Sequence, residues 1–256
     1  MKQASFKRFT IFFDQYLFIS ITLLSVMGLF FLYSASQGNI NIVMKQAIFV
    51  GFGIFLMFIL SQPDPDIYKI LSLIFLVTSL LLVLITILFA KEINGAKRWL
   101  DLGVFTLQPS ELVKIALPIY LASYLFEKPI PIDIRNTFKS LLIIGICFFL
   151  IARQPDLGTS LVVSMAGIYI LFFAGLSWKF IGSSVLVFLI SLPFLWNNFL
   201  QPFQQQRILT SLNPSADPFG SGWNITQSKI AIGSGGISGK GFEAGSQSHL
   251  DFLPET

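Results

Sequence analysis

Most of the chain consists of long apolar runs that contain no charged residue. Asp, Glu, Lys and Arg are absent from 15–44, 46–63, 70–90, 115–126, 140–152, 157–178 and 180–206. A helix needs about 20 mostly apolar residues to cross a bilayer, and these runs do not alternate as the strands of a membrane barrel do. The pattern therefore predicts seven transmembrane helices, at about 14–35, 43–60, 68–90, 107–126, 136–152, 156–174 and 179–197.

The pattern changes after the seventh predicted helix. Residues 201–256 contain eight of the nineteen Gly and four of the twelve Pro, together with several polar runs. We predict an all-α polytopic membrane protein, with a seven-helix transmembrane domain at 1–199 and a long extracytoplasmic loop segment at 200–256. Because no eighth span follows this segment, we expect the chain to be truncated at its C-terminal end.

Composition supports a membrane protein and excludes several other classes. The chain is 54% hydrophobic and 12% charged, against about 25% charged residues in ordinary soluble domains, and it contains 28 Phe. This composition excludes a soluble enzyme and a disordered chain. The single Cys147 excludes a disulfide within the chain, and nothing in the sequence favours binding of nucleic acid.

The basic residues around the first span predict the orientation of the chain. Lys2, Lys7 and Arg8 precede that span and only Lys45 follows it closely, which places the N-terminus in the cytoplasm. In this orientation nine of the seventeen cations, with those at the membrane edge included, lie on the outer side. Such a surplus suits an anionic ligand there, although ordinary variation among loops explains it as well.

Two groups of candidate residues lie near the start of the fourth predicted span, one before it and one in its first turns. Lys97, Arg98 and Trp99 precede it and either clamp a diphosphate or form an ordinary aromatic and cationic membrane boundary. Glu111 and Lys114 are three residues apart, so they share one helix face. We expect that face to look into the bundle, as a structural ion pair or as part of a polar cavity.

Further candidate residues lie after the fifth span and in the loop segment. Asp156 falls in the first turn of a helix, where capping explains a carboxylate without any chemistry. The Gln-Pro pair before it also occurs at 62–63 and 108–109, a recurrence that we interpret as coincidence.

In the loop segment, Arg207, Lys229 and Lys240 are candidate ligands of an anion. With a single His249, the chain offers no metal cluster and no Ser-His-Asp triad.

Several of these segments occur in an order that resembles one family. The motifs are Gly95-Ala96-Lys97-Arg98-Trp99, Gln108-Pro109-Ser110-Glu111-Leu112-Val113-Lys114, Gln154-Pro155-Asp156-Leu157-Gly158-Thr159, Gln227-Ser228-Lys229, Gly239-Lys240-Gly241-Phe242 and Phe252-Leu253-Pro254-Glu255. Together they resemble the SEDS family (shape, elongation, division and sporulation; RodA, FtsW and SpoVE). The loop motifs, with Arg207-Ile208-Leu209 and Asn213-Pro214, are more similar to the elongation branch, RodA, than to the division branch, FtsW.

The resemblance implies a peptidoglycan glycosyltransferase that polymerises lipid II on the outer face of the bacterial cytoplasmic membrane. It implies about ten transmembrane helices, and as partners a class B penicillin-binding transpeptidase and other elongation-complex proteins. The catalytic aspartate would lie just beyond Thr256, so activity of these 256 residues alone is uncertain. Asp156, Glu111 and Lys114 would support it, and Lys97, Arg98, Trp99, Arg207, Lys229 and Lys240 would bind substrate.

Cofactor use and two other functions stay open on the sequence. A divalent cation, Mg²⁺ or Mn²⁺, would suit a diphosphate leaving group, but no cluster of ligands identifies one. A transporter of lipid-linked precursors would fit the outer cations and the pair of Glu111 and Lys114 equally well. A scaffold that binds the transpeptidase without catalysis is the third interpretation.

Overall fold

A computed structural model describes residues 14–90, 92, 97–101, 103, 106–216, 220, 222–242 and 244. The helices are α1 (Gln15–Ala35), α2 (Ile40–Leu60), α3 (Pro65–Phe89), α4 (Pro109–Leu125), α5 (Ile134–Ala152), α6 (Leu157–Phe173), α7 (Trp178–Asn198), α8 (Pro202–Leu212) and α9 (Trp223–Gly235), with a 3-10 turn at Pro214–Ala216. A short antiparallel hairpin of β1 (Leu100–Asp101) and β2 (Thr106–Leu107) precedes α4.

Polar residues just outside the apolar runs determine where many helices begin. The Asp14 carboxylate accepts hydrogen bonds from the amides of Tyr16 and Leu17, at 3.0 and 3.1 Å, at the start of α1. Asn39 caps α2 and Asp133 caps α5 in the same way. These side chains satisfy amides that have no carbonyl partner within the helix.

The seven predicted spans are all helices, and the predicted all-α fold is confirmed. Within the described part of the chain, α1, α2, α3, α5 and α7 are long and apolar enough to cross a membrane. Helices α4 and α6 have 17 residues each, near the lower limit for a span. The segment predicted as a loop after residue 199 contains α8 and α9.

The chain divides into two compact units, residues 63–190 and residues 1–62 with 191–256. In the first unit, α4 packs against α3, α5 and α6 around a core that includes Leu117, Leu121 and Val163, all fully buried. A Cβ at Gly167 of α6 would lie 2.7 Å from Cγ1 of Ile144 on α5. The close approach of α6 to α5 therefore depends on glycine at this position.

One end of this unit, where α4 ends and α5 begins, is joined by polar contacts. Lys69 of α3 and Glu127 form an ion pair with an N–O distance of 2.8 Å. The hydrogen bond and the charge of Lys69 lower the pKa of the Glu127 carboxyl below its ordinary value. The Tyr124 hydroxyl donates to Asn136 at 2.6 Å, so α4 and α5 are also linked to each other.

In the second unit, α1 packs against α2, and α8 and α9 contact the 3-10 turn. The Phe242 ring stacks on the rings of Phe30 and Tyr33 in α1, with centroid distances of 5.0 and 6.2 Å. The contact fastens the segment after α9 to α1.

Candidate functional site

A second group of polar residues lies at the other end of the 63–190 unit, where α4 and α6 begin. The Gln108 side-chain amide donates to the Asp156 carboxylate at 3.2 Å and to the Ser110 hydroxyl at 3.0 Å. The second carboxylate oxygen of Asp156 accepts from the amide of Thr159 at 3.2 Å. The capping role predicted for Asp156 is confirmed, and its side chain also links the first residues of the two helices.

Arg98 connects the segment before α4 to the turn between α5 and α6. Its Nε donates to the carbonyl of Gln154 at 3.3 Å, and its Nη2 donates to the carbonyl of Pro155. Two of the five guanidinium donors therefore bind backbone, which gives Arg98 a structural role beside any role in binding an anion. Lys97 next to it is half-buried, and the Trp99 side chain is 41% exposed.

Glu111 and Lys114 form the predicted ion pair on α4, with a distance of 2.7 Å between Nζ and Oε2. The expectation that their face looks into the bundle is wrong within this unit. The packed face of α4 carries Val113, Ala116 and Leu117, whereas the Glu111 side chain is 51% exposed. Burying two charges is costly. This explains why the pair lies beside the core and stays partly exposed.

The Gln154 side chain is a feature that the sequence alone did not single out. It is 2% exposed, and neither Oε1 nor Nε2 has a hydrogen-bond partner among the described residues. Such a buried amide is costly unless a water or another polar group satisfies it. The Gln-Pro pairs that recur in the sequence could have drawn attention to Gln154, because Gln108 and Gln154 both lie at this end of the unit.

The remaining predicted cations belong to the other unit. Arg207 is exposed on α8 and Lys229 is exposed on α9. Lys240 lies between Gly239 and Gly241, whose φ angles are +75° and +109°. These are left-handed conformations that favour glycine, so the turn presenting Lys240 depends on both. The structure brings these three residues into one unit and Arg98, Glu111, Lys114 and Asp156 into the other.

Carboxylates, cysteines and histidines do not form a metal centre in the described part of the chain, where no three of them are close enough to hold an ion. The end of the 63–190 unit where α4 and α6 begin offers a set of donors held by hydrogen bonds and one partly exposed ion pair. Guanidinium and ammonium groups of this kind suit a phosphate-bearing ligand.

Comparisons of the sequence with known proteins point to one family. A family model described as "Cell cycle protein" (FtsW, RodA, SpoVE) matches residues 14–256. Over 242 residues the chain is 37% identical to the peptidoglycan glycosyltransferase MrdB of Escherichia coli K12, covering 94% of this chain and 65% of MrdB. It is 30% identical to the peptidoglycan glycosyltransferase RodA of Treponema pallidum, covering 95% of this chain and 74% of that one.

A solved structure supports the same assignment. A chain of a peptidoglycan synthase complex that coordinates polymerization and crosslinking superposes with a TM-score of 0.76 at 32% identity. The match covers 89% of this chain and 67% of that chain. The chain thus spans about two thirds of the length of these proteins. By its motifs, its helices and these matches, it belongs to the FtsW, RodA and SpoVE family of cell cycle proteins, the SEDS family.

Proposed function

We propose that the protein is a peptidoglycan glycosyltransferase that polymerises lipid II into glycan strands for cell elongation and rod shape. The observation that carries the proposal is the 37% identity to MrdB across 94% of the chain. MrdB of Escherichia coli K12 and RodA of Treponema pallidum are both named for that activity. We assign the protein to the bacterial cytoplasmic membrane, with its N-terminus in the cytoplasm. The end of the 63–190 unit where α4 and α6 begin then lies outside.

The reaction joins an acceptor sugar hydroxyl to the anomeric carbon of a donor sugar. As the hydroxyl attacks, a base removes its proton and the C–O bond to the lipid diphosphate breaks. We assign the base to the aspartate that family resemblance implies after Leu253-Pro254-Glu255. General-base help is worth about 10²–10⁴-fold, so stabilisation of the leaving diphosphate must supply much of the remaining rate.

The described residues take two different parts in this proposal. Lys229, Lys240 and Arg207 are exposed cations that suit the negative charge growing on the diphosphate. Asp156 and Arg98 are positioning residues, because their described bonds tie helix starts and turns together. Glu111 and Lys114 form an ion pair at the same end of the 63–190 unit as Asp156, and we assign them a supporting role. No step is assigned to a divalent cation, for which the described residues offer no ligand set.

We also propose that a class B penicillin-binding transpeptidase works with the protein. The support is the structural match to a chain of a peptidoglycan synthase complex that coordinates polymerization and crosslinking. Such a pairing would hand the growing glycan strand directly to the crosslinking enzyme.

A reconstituted assay with the full-length protein and lipid II tests the function. We expect Lys229→Ala to reduce polymer formation about a hundredfold, as removal of one preorganised charge-stabilising group does. Lys45→Ala, which removes an exposed cation from α2, is the matched control and should polymerise at the wild-type rate. Vesicle flipping of lipid II without polymer by the wild type would favour a transporter instead. A wild-type rate in Lys229→Ala would refute the assignment of that lysine.

A further inference from the structure

A cavity of about 350 Å³ lies at the opposite end of the 63–190 unit, between the start of α5 and the start of α7. Its walls are almost entirely apolar and include Ile134, Phe138, Leu141, Leu176 and Phe180. Two of the lining side chains are poorly covered by the rest of the unit, because Ile134 is 88% exposed and Phe138 is 69% exposed. In a membrane protein, such a cavity at the end of a helix bundle suits an acyl chain.

The cavity is preformed, because its two connecting segments are fastened together. The Ile132 amide donates to the Ala174 carbonyl at 3.2 Å. A Cβ at Gly175, where φ is +89°, would lie 2.9 Å from the Cα of Pro131, so the two segments are in close contact. The Trp178 ring packs edge-on against Phe172 at 5.4 Å and holds the first residue of α7 in place.

Three cations flank the apolar walls. Arg135, Lys139 and Lys179 are exposed, and each is adjacent in sequence to a residue that lines the cavity. Arg135 and Lys139 are four residues apart and therefore share one face of α5.

The carboxylate next in sequence to the cavity lining is that of Asp133, and it is already engaged. Asp133 caps α5 and also accepts from the Asn136 side chain. Glu127 is held by Lys69. Among the residues adjacent in sequence to the cavity lining, three cations therefore stand against one carboxylate, that of Asp133.

We propose that this cavity and its three cations bind an anionic phospholipid. One acyl chain would occupy the cavity, and the phosphate would lie among Arg135, Lys139 and Lys179. The apolar walls favour a lipid over a soluble phosphate, and the positive charge favours an anionic headgroup over a zwitterionic one. In the orientation proposed above, this end faces the cytoplasmic leaflet.

Lipid titration of the purified full-length protein in detergent, read by native mass spectrometry, tests the site. Phosphatidylglycerol should bind the wild type more tightly than phosphatidylcholine with the same acyl chains, and glycerol phosphate should not bind at comparable concentration. Each cation contributes about fivefold to affinity, so the triple variant R135Q/K139Q/K179Q should bind phosphatidylglycerol about a hundredfold more weakly.

Matched variants separate the headgroup and acyl-chain parts of the site. K179Q should weaken binding about fivefold, whereas K45Q, which removes an exposed cation from α2, should leave it unchanged. I134D places a carboxylate on an exposed part of the cavity wall and should also weaken binding. The proposal is overturned if the triple variant binds within twofold of the wild type, if phosphatidylcholine binds as tightly, or if glycerol phosphate binds as well as the lipid. Activity is not part of the readout, so failure here leaves the proposed glycosyltransferase untouched.

Discussion

At the scale of single residues, Asp156 performs two structural tasks with its two oxygens. One caps α6 through the amide of Thr159, and the other accepts from Gln108 at the start of α4. We expect Asp156→Ala to lower the free energy of unfolding by about 1–3 kcal/mol, since it removes the cap and leaves the Gln108 amide with one acceptor fewer. Denaturant or thermal unfolding of the full-length protein in detergent measures the loss.

Asp133 offers the matched control for this prediction. It caps α5 in the same way but is exposed, and the side-chain partner recorded for it, Asn136, is in its own helix. Asp133→Ala should therefore cost about 1 kcal/mol, the typical value for a cap alone. Equal losses in the two variants would show that the bond between Gln108 and Asp156 contributes nothing to stability.

The sequence predicted only part of this residue-level arrangement. A carboxylate in a first turn has a local explanation, so the capping role of Asp156 could be predicted from spacing. The bond from Gln108 could not, because 48 residues separate it from Asp156 and only the packing of α4 on α6 brings them together. Gln154 was missed for the same reason, since its burial depends on neighbours that are distant in sequence.

At the scale of elements, hydropathy located every span but misplaced several starts. It predicted starts at about 43, 68 and 136, whereas α2, α3 and α5 begin at Ile40, Pro65 and Ile134. The first turn of a helix is often polar, and a hydropathy pattern does not detect capping residues such as Asn39. For the same reason hydropathy did not predict α8, which is a polar helix. Its start is marked by Pro202 at the first position and by a hydrogen bond from the Gln201 amide to the Gln204 side chain.

The packing of α6 on α5 is sensitive to a single methyl group at position 167. An alanine Cβ at position 167 would meet Cγ1 and Cδ1 of Ile144 at 2.7 and 2.8 Å. We expect Gly167→Ala to destabilise the protein by about 1–3 kcal/mol through overpacking. Gly145→Ala on α5 is the control, because nothing lies within 4 Å of its Cβ, and it should be neutral or slightly stabilising.

A double-mutant cycle then tests whether Ile144 is the cause. Ile144→Ala removes the two atoms closest to the new methyl group and leaves Cδ1 of Leu121 at 3.3 Å, so the double variant should be more stable than the sum of the two single losses predicts. Additive losses would mean that the strain at position 167 is relieved elsewhere.

At the scale of the whole molecule, the 63–190 unit has two chemically different ends. One end has the hydrogen bonds of Arg98, Gln108 and Asp156, and the other has the apolar cavity with Arg135 and Lys179 beside it. Catalysis on an extracytoplasmic substrate and binding of a cytoplasmic-leaflet lipid both require that the first end faces outward. The two proposals therefore share one topology, and the basic residues before α1 predict it.

Cysteine labelling in intact cells tests that topology directly. The chain's single natural cysteine, Cys147, is fully buried and gives no background. Asp101→Cys in the hairpin before α4 should react with a membrane-impermeant maleimide in intact spheroplasts. Ile130→Cys, which replaces a 75% exposed side chain between α4 and α5, should react only after permeabilisation. The reverse pattern would place the cavity on the outer leaflet and Arg98 in the cytoplasm, where extracytoplasmic lipid II could not reach it.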